Sequence, residues 1–157
     1  MKTITPCLWF AKDAEEAAKF YMSTFKSSKI TGKTYYTKNM HLPEGAILTI
    51  TMEIMGQEFM ILNGGPLDDF NHSISFIVPC KDQAEIDALW DKLGKEGEIE
   101  QCGWVRDKYG VCWQVVPDNL SELIDGKNPS KFAAVMQAVM GMVKLDKAAL
   151  EKAYKEG

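Results

Sequence analysis

Apolar residues return at every second position from Ala46 to Ile54. Ala46, Leu48, Ile50, Met52 and Ile54 share one face, and Ile47, Thr49, Thr51 and Glu53 the other, the period of a half-exposed β-strand. Upstream the period changes. Ile4 to Phe10 is a short apolar run, and behind the acids Asp13, Glu15 and Glu16 the residues Ala17, Phe20, Tyr21 and Phe25 fall at helical spacing. Acids suit the first turn of a helix, where the macrodipole favours negative charge. Ser27, Ser28 and Gly32 interrupt this pattern, and Thr34-Tyr35-Tyr36-Thr37 reads as a strand. Downstream, Met55-Gly56-Gln57-Glu58 is an expected turn, and Phe59 to Asn63 a strand stopped by Gly64-Gly65-Pro66. The predicted order is β-α-β-β-β.

The same order begins again at His72. His72 to Val78 reads as a strand, and Pro79-Cys80-Lys81-Asp82 leads into a helix from Gln83 to Leu93, with Ile86, Leu89, Trp90 and Leu93 at i, i+3, i+4 and i+7. Cys102 to Pro117 then reads as a β-hairpin. Trp104 and Val105 lie on one arm, Val111, Trp113 and Val115 on the other, and Arg106-Asp107-Lys108 forms a polar tip expected in solvent. Alternation puts Cys112, Gln114 and Val116 on the opposite face from Val111, Trp113 and Val115. Gln114 is the one polar side chain of that set able both to donate and to accept.

Past Pro117 the pattern turns helical. Asp118 or Asn119 caps a short turn through Leu123, Asn128-Pro129 starts a helix, and Phe132, Val135, Met136, Val139, Met140 and Val143 make a broad apolar stripe. Asp146 caps a last helix through Ala149, Leu150 and Tyr154. The stripe suits packing on the chain's own domain or on a second subunit, and a homodimer is expected.

Composition narrows the class. A chain of 157 residues with 46% hydrophobic content is long enough to bury a core without metal or disulfide staples, and a single domain over 1–157 is expected. Its modules span about 1–66 and 72–117, and its helical tail 118–157. The net charge of -4 offers no basic field, so no nucleic-acid partner is expected. Met1-Lys2-Thr3-Ile4-Thr5-Pro6 lacks the apolar core of a signal peptide, and no apolar run nears the ~18 residues of a membrane span. A cytoplasmic protein without a membrane partner is expected. Cys7, Cys80, Cys102 and Cys112 form no CxxC pair and lie far in sequence from His41 and His72, so they read as small, partly buried thiols.

Cys7-Leu8-Trp9-Phe10, Ala14-Glu15-Glu16-Ala17-Ala18-Lys19-Phe20-Tyr21, Leu62-Asn63-Gly64-Gly65-Pro66, His72-Ser73-Ile74-Ser75-Phe76, Cys102-Gly103-Trp104, Asp107-Lys108-Tyr109-Gly110-Val111 and Trp113-Gln114-Val115-Val116-Pro117 together resemble the PhnB-like family. That family belongs to the glyoxalase/bleomycin-resistance, or vicinal oxygen chelate, superfamily. The resemblance extends into the tail through Met140 to Asp146 and Leu150 to Tyr154. It implies an α+β fold of paired βαβββ modules, each a curved sheet around a cavity, with a C-terminal helical tail and assembly as a homodimer.

In superfamily enzymes a divalent metal is held by His and Glu at four places, early in each module's first strand and near the end of its last. The residues near those places here are Thr5, Pro6 and Cys7, then Leu62 and Asn63, then Ser73 and Ser75, and Gln114. None supplies a carboxylate or an imidazole, and His72 is one residue out of step, which in a strand means the other face. No metal and no cofactor are expected. The expected function is binding of a small apolar or aromatic molecule by Trp9, Asn63, Ser75, Trp104 and Gln114, uncharged hydrogen-bonding groups among aromatics. The alternative is a glyoxalase-type isomerase, lyase or dioxygenase with a relocated metal. Relatives labelled demethylubiquinone 3-methyltransferases supply a further reading, against which stands the lack of a Gly-rich loop opening a helix after a parallel strand.

Overall fold

The computed structural model describes residues 4–66 and 69–157. Met1 to Thr3, Leu67 and Asp68 lie outside them. The chain forms two compact units, Met1–Asp69 and Phe70–Gly157.

The first unit runs β1 (Cys7–Phe10), α1 (Ala14–Thr24), β2 (Lys29–Tyr35), β3 (Ile47–Ile54) and β4 (Gln57–Asn63). Its four-stranded sheet has the order β1-β4-β3-β2, with β1 and β4 parallel and the other pairs antiparallel. α1 packs on β3 and β4, and the face beneath it carries the buried Leu8, Phe10, Ile50, Met52, Ile54, Phe59 and Ile61. The alternation read from Ala46 to Ile54 therefore marks the core face.

Two boundaries of this unit differ from expectation. Gln57 and Glu58 belong to β4, paired with Ile54 and Glu53, because Met55 and Gly56 alone reverse the chain at φ 49° and 86°, the left-handed pair of a two-residue hairpin turn. β2 begins at Lys29 and accommodates Gly32 opposite Thr51, beside a register shift between Ile30 and Gly32. A glycine read as a breaker is a bulge inside a strand.

The second unit repeats the order with β5 (Phe76–Cys80), α2 (Gln83–Gly94), β6 (Glu98–Ile99), β7 (Trp104–Arg106) and β8 (Cys112–Pro117). Its sheet order is β5-β8-β7-β6, the same topology as the first. The opening strand starts four residues later than expected, after a turn at His72 and Ser73, and takes in Pro79. β5 is an edge strand, where a missing N–H costs the ladder nothing. α2 is capped locally, since Asp82 accepts from Glu85 N–H at 2.9 Å and the Glu85 carboxylate accepts from Lys81 N–H, just ahead of the cap, at 3.0 Å.

The hairpin tip is not the solvated turn expected. Asp107 is 2% exposed, accepting from Tyr109 N–H and Val111 N–H at 2.9 and 3.1 Å and from the Trp113 indole N–H at 2.9 Å. A carboxylate that collects three donors is stable in a place where an unpaired one is not.

The tail belongs to the second unit. α3 (Leu120–Leu123), α4 (Pro129–Met140) and α5 (Lys147–Glu156) enclose Leu123, Val135, Val139, Leu145 and Leu150 around Val116 of β8. Burying an aliphatic side chain of this size contributes roughly 1.5–3 kcal/mol. Apolar burial therefore docks the tail, and the surface pair of Lys147 and Asp118 at 2.7 Å adds little by comparison. Part of the α4 stripe stays outside this cluster, with Phe132, Met140 and, just beyond the helix, Val143 exposed.

Candidate functional site

α1 covers one face of the first sheet and α2 one face of the second, and the expected binding residues divide between the faces. In the first unit, Trp9 lies opposite Leu62 and Phe10 opposite Asn63. Neighbouring positions alternate, so Trp9 lies on the face away from α1 and Asn63 on the α1 face. The structure does not bring these two side chains together.

Asn63 is buried among framework contacts. Its Oδ1 accepts from Ala14 N–H at 2.9 Å, and its Nδ2 donates to the Ile47 carbonyl at 3.0 Å. Asp13, in the N-cap position of α1, makes no side-chain cap, so the carboxamide of Asn63 serves the helix from the far end of β4. The Asn63 carbonyl in turn accepts from the Tyr36 hydroxyl. With that proton committed, the Tyr36 oxygen accepts from His41 Nε2–H at 3.1 Å, which fixes the His41 tautomer.

Trp9 is half-exposed, and its indole N–H donates to the Gly65 carbonyl at 2.9 Å. A Cβ on Gly64 would lie 2.1 Å from Trp9 Cε2, so the glycine makes room for the indole. The double glycine after β4 is occupied by a tryptophan and a backbone bond, and no phosphate cradle is formed there.

In the second unit, Ile77, Gln114 and Trp104 share one rung of the sheet, on the face away from α2. Gln114 Nε2–H donates to Ser75 Oγ at 2.9 Å. Three of the expected residues, Ser75, Trp104 and Gln114, thus meet on one face, with Ile77 63% exposed beside them. Trp113 lies on the opposite side, its ring 5.4 Å from Phe76 and 2% exposed. It is core, and Tyr21 on α1 is likewise fully buried.

A charged rim borders this face. His72 Nε2 lies 2.7 Å from Glu100 Oε2, Arg106 reaches Glu98 at 3.1 Å and Glu100 at 3.3 Å, and the His72 ring is 5.8 Å from that of Trp104. Cys112 lies opposite Arg106, and burial pushes its thiol above the ordinary range. Sequence reading missed the His72, Glu98, Glu100 and Arg106 cluster because its members are up to 34 positions apart. The signal available was the hairpin register, which puts Glu98 opposite Arg106.

Two sheets of identical strand order, each with a helix on one face, are the paired-module α+β fold of the glyoxalase, or vicinal oxygen chelate, type. The 3-demethylubiquinone-9 3-methyltransferase family model matches residues 2–116, and the chain belongs to this PhnB-like family. The PhnB protein from Bacillus cereus is 34% identical at a TM-score of 0.66, over 74% of this chain and 99% of its own. Two more distant likenesses are of fold alone. Protein PA1353 from Pseudomonas aeruginosa is 17% identical at a TM-score of 0.60, over 72% of this chain and 95% of its own. The fosfomycin resistance protein FosX from Listeria monocytogenes, solved with Mn(II) and sulfate, is 14% identical at a TM-score of 0.55, over 81% and 98%. No curated protein matches the chain.

The residues present do not fit the metal of the superfamily. At its four places stand Cys7, Asn63, Ser75 and Gln114 or their neighbours, and the carboxamides of Asn63 and Gln114 are engaged as described. Imidazole and carboxylate are the side chains that hold divalent transition-metal ions, and neither stands at these places. Among the described residues no group of three or more His, Cys, Asp and Glu side chains is placed to hold a metal ion, and none of the helices is long and apolar enough to cross a membrane.

Proposed function

We propose that this protein is a homodimeric binding protein for a small, uncharged, largely apolar or aromatic molecule, and that Ser75, Trp104 and Gln114 hold it without a metal. The observation that carries the reading is the Ser75 and Gln114 pair beside Trp104. A hydroxyl and a carboxamide bonded to each other still offer one carbonyl acceptor and further donor capacity, next to an aromatic ring and the exposed Ile77. A few polar groups on an apolar wall are the usual make-up of a small-molecule site. The rim supports an uncharged ligand, because both terminal nitrogens of Arg106 are already paired with carboxylates. In the first unit Trp9 supplies the corresponding apolar surface, and Asn63 holds the sheet and helix that present it.

The homodimer is supported by the exposed Phe132, Met140 and Val143, an apolar strip on a tail whose other side is already docked. Sedimentation equilibrium is expected to give twice the chain mass, and a monomer at micromolar concentration overturns that part.

The binding test is a ligand-observed NMR screen of neutral aromatic and quinone-like fragments, run on the parent protein and on Gln114→Ala. Binding weakened at least tenfold by Gln114→Ala is expected. A parent protein that binds none of them, or Gln114→Ala binding as tightly as the parent, overturns the reading. Elemental analysis after equilibration with Mn(II), Zn(II), Ni(II) and Fe(II) is run alongside. Stoichiometric metal would move the search to the alternative, vicinal-oxygen chemistry at a relocated centre.

A further inference from the structure

The turn that leads into β7 is pinned to the chain just past α4. Cys102 N–H donates to the Met142 carbonyl and Gly103 N–H to the Val143 carbonyl, each at 2.8 Å. Cys102 takes a φ of 60° there, a left-handed value that a residue with a Cβ seldom adopts. These bonds set its thiol beside the last residue of α4, and Cys102 Sγ lies 3.9 Å from Met140 Sδ. Cys102 is half-buried and Met140 is 68% exposed, so the sulfur pair stands at the surface of the second unit.

The other thiols are placed differently. Cys80 and Cys112 are buried and turn their S–H groups to the carbonyls of Val78 and Gly110. Cys7 is exposed on β1. Among the described residues, Cys102 is the thiol in contact with a second sulfur.

A thiol and a thioether have little to offer each other as hydrogen-bonding groups, since both are weak. As metal ligands they are a soft pair of the kind that selects Cu(I), whereas zinc sites take thiolate, imidazole and carboxylate. The spacing agrees. Two sulfurs bound to one ion by bonds of about 2.3 Å, at angles between tetrahedral and trigonal, lie about 3.8–4.0 Å apart. Met142, the next sulfur along the chain, accepts the Asp146 N–H at 3.5 Å, and the exposure of Met140 leaves a third coordination position to solvent.

We infer that Cys102 and Met140 form a surface site for a soft monovalent metal ion, Cu(I), made of other residues than the Ser75, Trp104 and Gln114 group and independent of it. On binding, the Cys102 S–H bond breaks, its proton passes to the buffer, and the sulfur bonds to the ion. Met140 adds a lone pair, and no electron changes hands. The thiolate cancels the charge of the ion, so the loaded site is neutral and suits the apolar strip of Phe132, Met140 and Val143. An ion set between sulfurs already this close displaces neither side chain, so the site and the dimer contact do not exclude each other.

The test is run without oxygen on the Cys7→Ser protein, which lacks the other accessible thiol. Cu(I) is supplied as its bicinchoninate complex, and transfer of one ion per chain is expected, read as loss of the chelator colour. Met140→Leu, which keeps the bulk at an exposed position, should weaken uptake at least tenfold, and Cys102→Ser should abolish it, while circular dichroism shows both variants folded. In protein labelled with carbon-13 at its methionine methyls, one equivalent of Ag(I), a redox-inert ion of the same charge and softness, should shift the Met140 methyl, assigned by its absence from Met140→Leu. No transfer from the chelator, transfer unchanged by Met140→Leu or by Cys102→Ser, or an unmoved Met140 methyl overturns the site. Cu(I) is not among the ions that test the alternative above, so the fate of this site and that of the binding reading are read separately.

Discussion

The indole N–H of Trp113 donates to Oδ2 of Asp107 at 2.9 Å, inside a turn whose residue types suggest solvent. Oδ1 of the same carboxylate takes the N–H groups of Tyr109 and Val111. Asp107→Ala would leave all three donors without it, and unsatisfied buried groups cost about 1–3 kcal/mol each. A loss of about 3 kcal/mol or more is expected in urea denaturation, with a changed near-ultraviolet signal from Trp113. A loss below about 1 kcal/mol would mean that the turn is held by other contacts.

Asn63 makes a different kind of prediction, because it belongs to the scaffold. Asn63→Ala removes the acceptor for Ala14 N–H and the donor to the Ile47 carbonyl. A helix cap alone is worth about 1 kcal/mol, so a loss of about 2 kcal/mol is expected for the pair of bonds. Asn63→Asp keeps the cap but turns an oxygen toward the Ile47 carbonyl, and should also destabilise. An alanine variant as stable as the parent, by thermal or urea melts, sinks this account.

Gly64→Ala tests the seat of Trp9. The new methyl would stand 2.1 Å from the ring, so the indole has to leave and release its bond to Gly65. A red-shifted tryptophan emission is expected, absent from Trp9→Phe/Gly64→Ala. An unshifted spectrum would show that the ring has another place to go.

Burial first, and then the carboxylates of Glu85, Asp118 and Asp82, push the Cys80 thiol up to about 12. The neutral thiol is the form the fold prefers, and an unfolded thiol ionises near 8.5. The stability it contributes is therefore whole below that pH and drains as pH rises toward 12. Unfolding followed from pH 8 to 11 should lose stability less steeply in Cys80→Ala than in the parent. At pH 8 a disulfide reagent should reach Cys80 only through unfolding. Reaction at the rate of a free thiol disproves the burial.

Much of this fold was legible from periodicity. The alternation from Ala46 to Ile54 and the heptad-like spacing from Ile86 to Leu93 mark faces that the structure buries, and Asp82, Asn128 and Asp146 cap where local chemistry says they should. Less was legible where a residue's partner is distant. The resemblance offers Asn63 as a ligand group, and nothing near it in the chain shows its framework role, whose partner lies 49 residues away at Ala14. Asp107 was read as a solvated tip because Arg and Lys flank it. Alternation puts Gln114 on the face opposite Trp113, which is local, but Ser75 and Trp104 join it only through the pairing of β8 with β5 and β7. Their charged rim, assembled across strands by register, was not.

The two modules share a topology but not a way of starting their helices. α2 carries its acceptor with it, in Asp82, and its first turn is satisfied as soon as it winds. α1 has its acceptor on β4 and must wait for a chain loop of 49 residues to close, an entropic delay that local contacts escape. Two copies of one architecture are thus set on different clocks. α2 is able to start alone, while α1 is completed only when the last strand of its unit arrives.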